Sequence, residues 1–444
     1  MPAAIRRGSP LTTSSITLAL ISEGWRLPSK LALLGGEPLR KRPFAKWPVF
    51  DERERAQLED VLRSGSWGGH PSPNRKATEF ATRFADFQGG KHVIPTSSGT
   101  SALEVALKAL EIGPGDEVIV PAITFAATAY APVACNARPV FADVDTETIC
   151  IDPESVRAMI TPRTRAIIPV HYGASLADLD ALTEIARPRS IAIIEDCAHV
   201  PGAKWRDRGV GTWGAMGCFS FQSSKPMTAG EGGAITVSDA DLEQKCQSLI
   251  NCGRHRPGDT FESPLMGANY RMTEWQCGIL LAQIERAEEQ MKLKSAMATR
   301  LRAGLNAIAG IHAIARDPRV TREVICAFIF KIDERELRIS RNTFVKAMRA
   351  EGVPCGVGND PVYRSSLFPR ESRAYRTAYE LAGLKPGSEE ISCAAAEHLF
   401  EHEMAALPHE CLLGGDADVD DIIAAANKVA ENAKALAASK SARA

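Results

Sequence analysis

From Lys91 onward the chain alternates short, nearly unbroken apolar runs with stretches of helical period, and this alternation limits the possible folds more than any other feature. His92-Val-Ile-Pro-Thr96 reads as a strand and Ser101 to Leu110 as a helix. Glu117-Val-Ile-Val-Pro121 and Arg138-Pro-Val-Phe-Ala142 read as further strands. Arg165 to His171 and Ser190 to Asp196 follow with a helix between them, and then Cys218-Phe-Ser-Phe221 and Ala234-Ile-Thr-Val237. A strand that is apolar at every position must be covered on both faces. Such strands alternating with helices predict an α/β fold built on a mostly parallel sheet. In a sheet of that kind, ligands collect at the carboxyl ends of the strands.

The flanks read differently. Leu31 to Gln88 predicts an arm and one amphipathic helix, Asp51 to Leu62, running on into a Gly/Ser/Pro loop. After about Arg271 a long helical stretch leads to Ala327–Ile332, a strand, and Ser340 to Glu351, a helix. With the last helix near Val419 to Lys434, this predicts a smaller C-terminal α/β domain. The expected division is a tail over 1–30, an arm and large domain over 31–285, a linking helix and small domain over 286–437, and a flexible tail over 438–444. Arg6 and Arg7 precede a short apolar stretch, Ile16 to Ile21, but Thr17 interrupts it and no small-residue cleavage site follows. A disordered tail is therefore expected rather than a secretory signal.

Net charge is −1 with both signs well mixed, which is unlike the basic footprint of a nucleic-acid binder. No apolar run reaches the roughly 18 residues of a membrane span. The 11 cysteines are dispersed, with no CxxC pair and no Cys/His group at zinc spacing. They read as reduced thiols of a cytoplasmic protein, and no metal is expected.

Three segments carry chemistry. Thr96-Ser-Ser-Gly-Thr-Ser101 follows a strand and opens a helix. Unpaired N–H groups and the positive dipole end favour an anion such as phosphate there, with Gly99 allowing close backbone approach and Thr100 adding a hydroxyl. Plain capping by Ser and Thr gives the same pattern. Ile193-Ile-Glu-Asp-Cys-Ala-His199 ends an apolar strand on a carboxylate, which is costly unless a cation or strong donor pairs with it. Asp196 could also be a helix cap or a metal ligand, and His199 a hydrogen-bonded core histidine. Phe219-Ser-Phe-Gln-Ser-Ser-Lys225 runs from a strand into a polar turn, and a Gly-rich turn closes at Gly233. A lysine so placed can become a nucleophile when its amine is desolvated, although most turn lysines are simply solvated.

The ordered set resembles one known family. Ser-Gly-Thr-Ser101, Val120-Pro-Ala-Ile-Thr-Phe125, Glu195-Asp-Cys-Ala-His199, Ser220-Phe-Gln-Ser-Ser-Lys225 with Gly230-Glu-Gly-Gly233, and Asn269-Tyr-Arg-Met-Thr-Glu274 are similar to the DegT/DnrJ/EryC1/StrS sugar aminotransferases. These are fold-type-I pyridoxal-phosphate enzymes. The likeness runs from about Leu33 to Lys434. It implies a seven-stranded sheet in the large domain and the cofactor pyridoxal 5'-phosphate. It assigns Lys225 to the Schiff base, Asp196 to the pyridine nitrogen, Phe125 to the ring face and His199 to the phenolic oxygen. By the same likeness Gly99, Thr100 and Ser220 would hold the phosphate. Asn269 is similar to the asparagine that reaches the phosphate from the neighbouring subunit, which implies a homodimer with shared sites. Trp67, His70 and Arg271 fall where relatives touch substrate.

Leu407-Pro-His409 with Leu412-Leu-Gly-Gly415, and the run Cys218 to Gly233, are similar to the aminocyclitol and 3-amino-5-hydroxybenzoate members. The implied reaction moves an amino group from glutamine or glutamate to a keto sugar or keto cyclitol. One branch carries histidine in place of the lysine and dehydrates, and Lys225 argues against it. A regulator that senses pyridoxal phosphate would need a DNA-binding module, for which the N-terminal tail has no room.

Overall fold

In a computed structural model, the protein is described over residues 30–69, 72–254, 265–387 and 391–439. The expected tails fall outside these residues except at their inner edges, as does His70. The first strands are β1 (His92–Thr96), β2 (Glu117–Pro121), β3 (Arg138–Ala142), β4 (Thr164–Ile167) and β5 (Ala192–Asp196). A small hairpin, β6 (Lys204–Trp205) and β7 (Arg208–Gly209), precedes β8 (Met216–Ser220) and β9 (Gly233–Val237). The main sheet has seven strands in the order β1-β9-β8-β5-β4-β2-β3. Strand β9 runs against both its neighbours, and the other pairings are parallel. Every residue of β2, β8 and β9 is buried, as continuous apolar runs covered on both faces require.

The run predicted as one strand from Arg165 to His171 ends early, at Ile167. Pro169 has no N–H to give to a ladder, although its carbonyl still accepts from Asp196 N. The N-terminal region also departs from the single predicted helix. It holds two, Glu52–Ser64 and Arg75–Gln88, separated by the loop around Trp67. The first is closed by a capping box from Asp51 and Glu54 and stopped by Gly65 in the left-handed region. Phe80 and Phe84 of the second are fully buried against Phe219 and Phe221. That i, i+4 apolar pair was the available sequence signal.

A second sheet of three strands, β10 (Ile311–Ala313), β12 (Ala327–Ile332) and β13 (Met404–Pro408), lies in the C-terminal part. Strand β11 (Val320–Arg322) joins the small hairpin instead. The helix Glu274–Asn306, 33 residues long, links the two regions. Cys277, Leu280 and Leu281 pack in a core with Phe80 and Phe219. Ala298, Leu301 and Leu305 pack in another with Phe328 and Phe344. The expected boundary at residue 285 thus falls inside one continuous helix.

The N-terminal arm is fastened to the C-terminal core by a buried charge. Glu351, fully buried, accepts from the backbone N–H of Ala32 (2.8 Å) and Leu39 (2.9 Å). It also accepts from Lys428 Nζ (2.8 Å), which is fully buried too. Lys428→Met leaves this carboxylate without its cation, and a loss of about 3–5 kcal/mol is expected. Chemical denaturation measures it, and a loss below about 1 kcal/mol contradicts the anchoring role.

Candidate active site

The parallel strands end on one edge of the main sheet, and their carboxyl ends supply a cavity of about 420 Å³. Ser98, Gly99 and Thr100 come from the turn after β1, Phe125 and Thr128 from the segment after β2, and Asp196 and His199 from the end of β5. Ser220 closes β8, and Gln222, Ser224 and Lys225 follow it. Seven of the predicted residues therefore share one space: Gly99, Thr100, Phe125, Asp196, His199, Ser220 and Lys225.

Asp196 and Glu195 are neighbours on β5, so they point to opposite faces of the sheet. Glu195 is fully buried and accepts from the backbone N–H of Gly211 (2.7 Å), Trp213 (2.7 Å) and Gly214 (2.9 Å). His171 accepts Ala177 N–H through Nδ1 and turns Nε2 to Glu195 at 3.4 Å. This carboxylate is occupied as a structural acceptor.

Asp196 is the one aimed at the cavity. It accepts from Thr128 Oγ1 (2.8 Å), itself 2.7 Å from Thr124 Oγ1, and from Ala198 N–H (3.1 Å). Burial pushes its pKa up, while these donors and the charges of Lys225 and His171 pull it down. No cation forms an ion pair with it among the described residues. Sequence reading missed Thr124 and Thr128. Their i, i+4 spacing on the first turn after β2 was the available signal.

His199 accepts Gly173 N–H through Nδ1 (3.1 Å), so its neutral ring carries the proton on Nε2. Burial, then the charge of Lys225, hold its pKa well below the ordinary value. Its ring leans on Tyr172, at 5.5 Å between centroids. The Tyr172 hydroxyl donates to Asn359 Oδ1 (2.8 Å) and accepts from Asn359 N–H (3.0 Å), and burial pushes its pKa up to about 12. Asn359 belongs to the C-terminal part, which therefore reaches the site's wall. Lys225 makes no hydrogen bond or ion pair through its amine among the described residues. Phe125, 55% exposed, offers a bare ring to the cavity.

The anion subsite is built by close packing. Ser98 and Ser101 form a capping box at the start of the helix Gly99–Ala109, so capping and a free dipole end coexist. A Cβ on Gly99 would sit 2.8 Å from Ser220 Cβ, and one on Gly233 would sit 2.3 Å from the Ser98 carbonyl. The missing side chain of Gly99 thus lets the helix dock against Ser220, whereas the sequence suggested approach to a ligand.

Three predicted residues lie elsewhere. Asn269 pairs with Asn251 in an isolated bridge. Arg271 pairs with Thr96 across another bridge and donates to Asn251 Oδ1 at 2.9 Å. Trp67 is half exposed and packs on Trp275 at 5.6 Å. None of the three lines this chain's own cavity.

The chain matches the family model described as the DegT/DnrJ/EryC1/StrS aminotransferase family over residues 48–411. It belongs to that family. This aminotransferase is 41% identical over 92% of its length to a protein of Streptoalloteichus tenebrarius, covering 99% of that protein, assigned as an L-glutamine:3-amino-2,3-dideoxy-scyllo-inosose aminotransferase. It is 37% identical to the L-glutamine:2-deoxy-scyllo-inosose aminotransferase of Micromonospora echinospora, over 91% of the chain and 99% of the relative. Among solved structures it is similar to 3-amino-5-hydroxybenzoic acid synthase, with a TM-score of 0.78 and 32% identity over 88% of this chain and 100% of that one. DesI, in the presence of its TDP-sugar product, gives a TM-score of 0.74 and 28% identity over 91% and 96%. Among the described residues of the aminotransferase, no helix is long and apolar enough to cross a membrane.

A carboxyl whose pKa is raised on folding lowers stability wherever the unfolded chain ionises more readily. In cofactor-free protein, Asp196→Asn is therefore expected to melt higher than the parent at neutral pH. The gain should shrink as the pH falls toward the unfolded value of about 3.9, and vanish below it. Melting temperatures across pH check this. An Asp196→Asn protein less stable at pH 7 would contradict the unpaired burial.

Proposed function

We propose that this aminotransferase holds pyridoxal 5'-phosphate in the β5–β8 cavity and moves an amino group from glutamine to a keto cyclitol. The observation that carries the reading is the convergence of Lys225, Asp196 and His199 on one cavity beside a helix N-terminus. The residues fit the cofactor group by group. Asp196 is a buried carboxylate without a cation, which suits a protonated pyridine nitrogen. His199 is neutral and donates through Nε2, which suits an anionic ring oxygen. The exposed ring of Phe125 suits an aromatic face. Ser98 to Thr100, with Ser220, offer N–H and hydroxyl donors to a phosphate.

When bound, pyridoxal phosphate supplies the electron sink and the amino carrier. This chain's residues do the rest. Lys225 Nζ would anchor the cofactor aldehyde. Once freed, the same Nζ would take the proton from the donor α-carbon and later deliver one to the acceptor carbon. Asp196 would keep the ring nitrogen protonated. Thr128 and Ala198 hold that carboxylate in place through the bonds described above.

Glutamine as donor and a cyclitol as acceptor rest on the names of the relatives at 35–41% identity. A second reading, a reaction like that of 3-amino-5-hydroxybenzoate synthase, is favoured by the structural likeness to that enzyme. Product analysis with candidate ketones separates these two readings, and a screen of keto cyclitols and nucleotide-linked keto sugars, following keto-acid release from glutamine, tests the acceptor class. Release with nucleotide-linked sugars alone would overturn the cyclitol assignment. The dispersed free thiols suit a cytoplasmic enzyme.

Purified protein is expected to absorb as a lysine-bound pyridoxal phosphate. Lys225→Ala should lose both that absorbance and turnover, and an active Lys225→Ala protein would remove Lys225 from this role.

The reading includes a homodimer in which Asn269 serves the partner's phosphate. Its position outside its own chain's cavity supports this. In a mixture of Lys225→Ala and Asn269→Ala protomers, one site of the mixed dimer then carries both lesions and the other neither. Activity should partly return on mixing. Sites built from single chains give no recovery.

A further inference from the structure

Beneath the turn that presents Lys225, three buried or half-buried side chains meet from three distant parts of the chain. Trp47 comes from the N-terminal arm, Lys294 from the helix Glu274–Asn306, and His409 from the residues after β13. Trp47 Nε1–H donates to the backbone carbonyl of Ser223 at 2.9 Å. Other bonds of the turn are internal, although the Ser224 backbone also faces His409. Lys225 N–H donates to Gln222 O (2.9 Å), and both Ser224 N–H (2.9 Å) and its hydroxyl (2.7 Å) donate to Gln222 Oε1. The indole bond is therefore an external hold on the residues just before Lys225.

That indole is itself held. His409 meets it edge-on, at 4.6 Å between centroids and 83° between planes. Lys294 Nζ lies 3.4 Å from His409 Nδ1 and 5.5 Å from the Trp47 ring centroid. His409 is 1% exposed and Lys294 1% exposed. Among the described residues Lys294 has no carboxylate partner, and His409 Nε2 has no hydrogen-bond partner, with Glu410 Oε2 4.0 Å away. Burial lowers the pKa of His409 to about 3, helped by Lys294, with the Ser224 backbone acting the other way. A neutral ring with Nδ1 as acceptor suits the amine beside it. Burial likewise lowers Lys294 to about 8, with Cys326 and then Glu410 opposing. An apolar residue at position 294 would avoid the cost of burying an unpaired amine. Packing alone gives no reason for one.

We propose that Lys294, His409 and Trp47 form a positioning relay for Lys225. Lys294 orients the His409 ring, His409 orients the Trp47 indole, and the indole N–H fixes the Ser223 carbonyl. The placement of the reactive amine is thereby set by the arm and the C-terminal part, as well as by β8. These are positioning residues, since none lines the cavity. The inference rests on Lys225 as the cofactor-bearing lysine.

Trp47→Phe keeps an aromatic ring and removes the N–H, and Lys294→Met keeps the stem and removes the donor. Two readouts apply: the rate at which cofactor-free protein regains lysine-bound absorbance with pyridoxal phosphate, and kcat against KM. Each variant should regain absorbance about ten-fold more slowly and lose kcat similarly, with KM within about two-fold, as misplacing a reacting group does. Lys294→Arg, which still donates, should recover most of the rate. The Trp47→Phe/Lys294→Met double variant should be no slower than the worse single one. Unchanged attachment rates, or losses that multiply in the double variant, overturn the relay. Trp47→Phe decides alone if Lys294→Met does not fold. Parent protein without lysine-bound absorbance would instead indict the reading of Lys225.

Discussion

The site depends on one buried carboxylate. Asp196 lies at the end of an apolar strand, held by the Thr128 hydroxyl and the Ala198 N–H. Both bonds come from neutral donors, so they orient the charge without neutralising it. An apolar strand end raises the free energy of an ion, and the protein bears that cost throughout the life of the cofactor-free chain. The other polar groups of the cavity are arranged around that charge. His199 is kept neutral beside it, and Lys225 stands within range of both.

Alternation along β5 separates two carboxylates that the sequence presents side by side. Glu195 faces the interior and is filled by the amides of the turn Gly211–Gly214. Asp196 faces the cavity. Turning the strand by one residue would exchange these roles and leave several backbone donors unpaired, so register is fixed by the structural acid as firmly as by the apolar residues around it.

Much of this was legible in the sequence, for a physical reason. Short, nearly unbroken apolar runs that alternate with helical stretches read as strands covered on both faces, so β1, β2 and β3 fell where the pattern put them. The residues at their carboxyl ends necessarily converge, which is how Gly99, Phe125, Asp196 and Ser220 come together from segments far apart. What could not be read is long-range and polar. Thr128 is an ordinary helical threonine until its hydroxyl meets Asp196. Asn359 is a loop residue until Tyr172 meets it. Trp47 and His409 carry no local pattern that points to Ser223. The second N-terminal helix was missed because the Gly- and Pro-containing loop before it looked like the end of regular structure. The packing of Gly99 against Ser220 could not be read, because only the folded chain brings the two together.

The helix Glu274–Asn306 acts as a rafter shared by two roofs. Its first turns are bedded with Phe80 and Phe219, and its later turns with Phe328 and Phe344. Tilting it to follow one core would strip apolar contacts from the other, so the two cores move as a single frame. Two lighter ties join the flanks to the site's wall, the arm through the Trp47 bond to Ser223 and the strip that carries Asn359 through its bonds to Tyr172. Through Lys294 the rafter also props the arm beside Trp47, so the tie to Ser223 hangs from the same beam as the two cores.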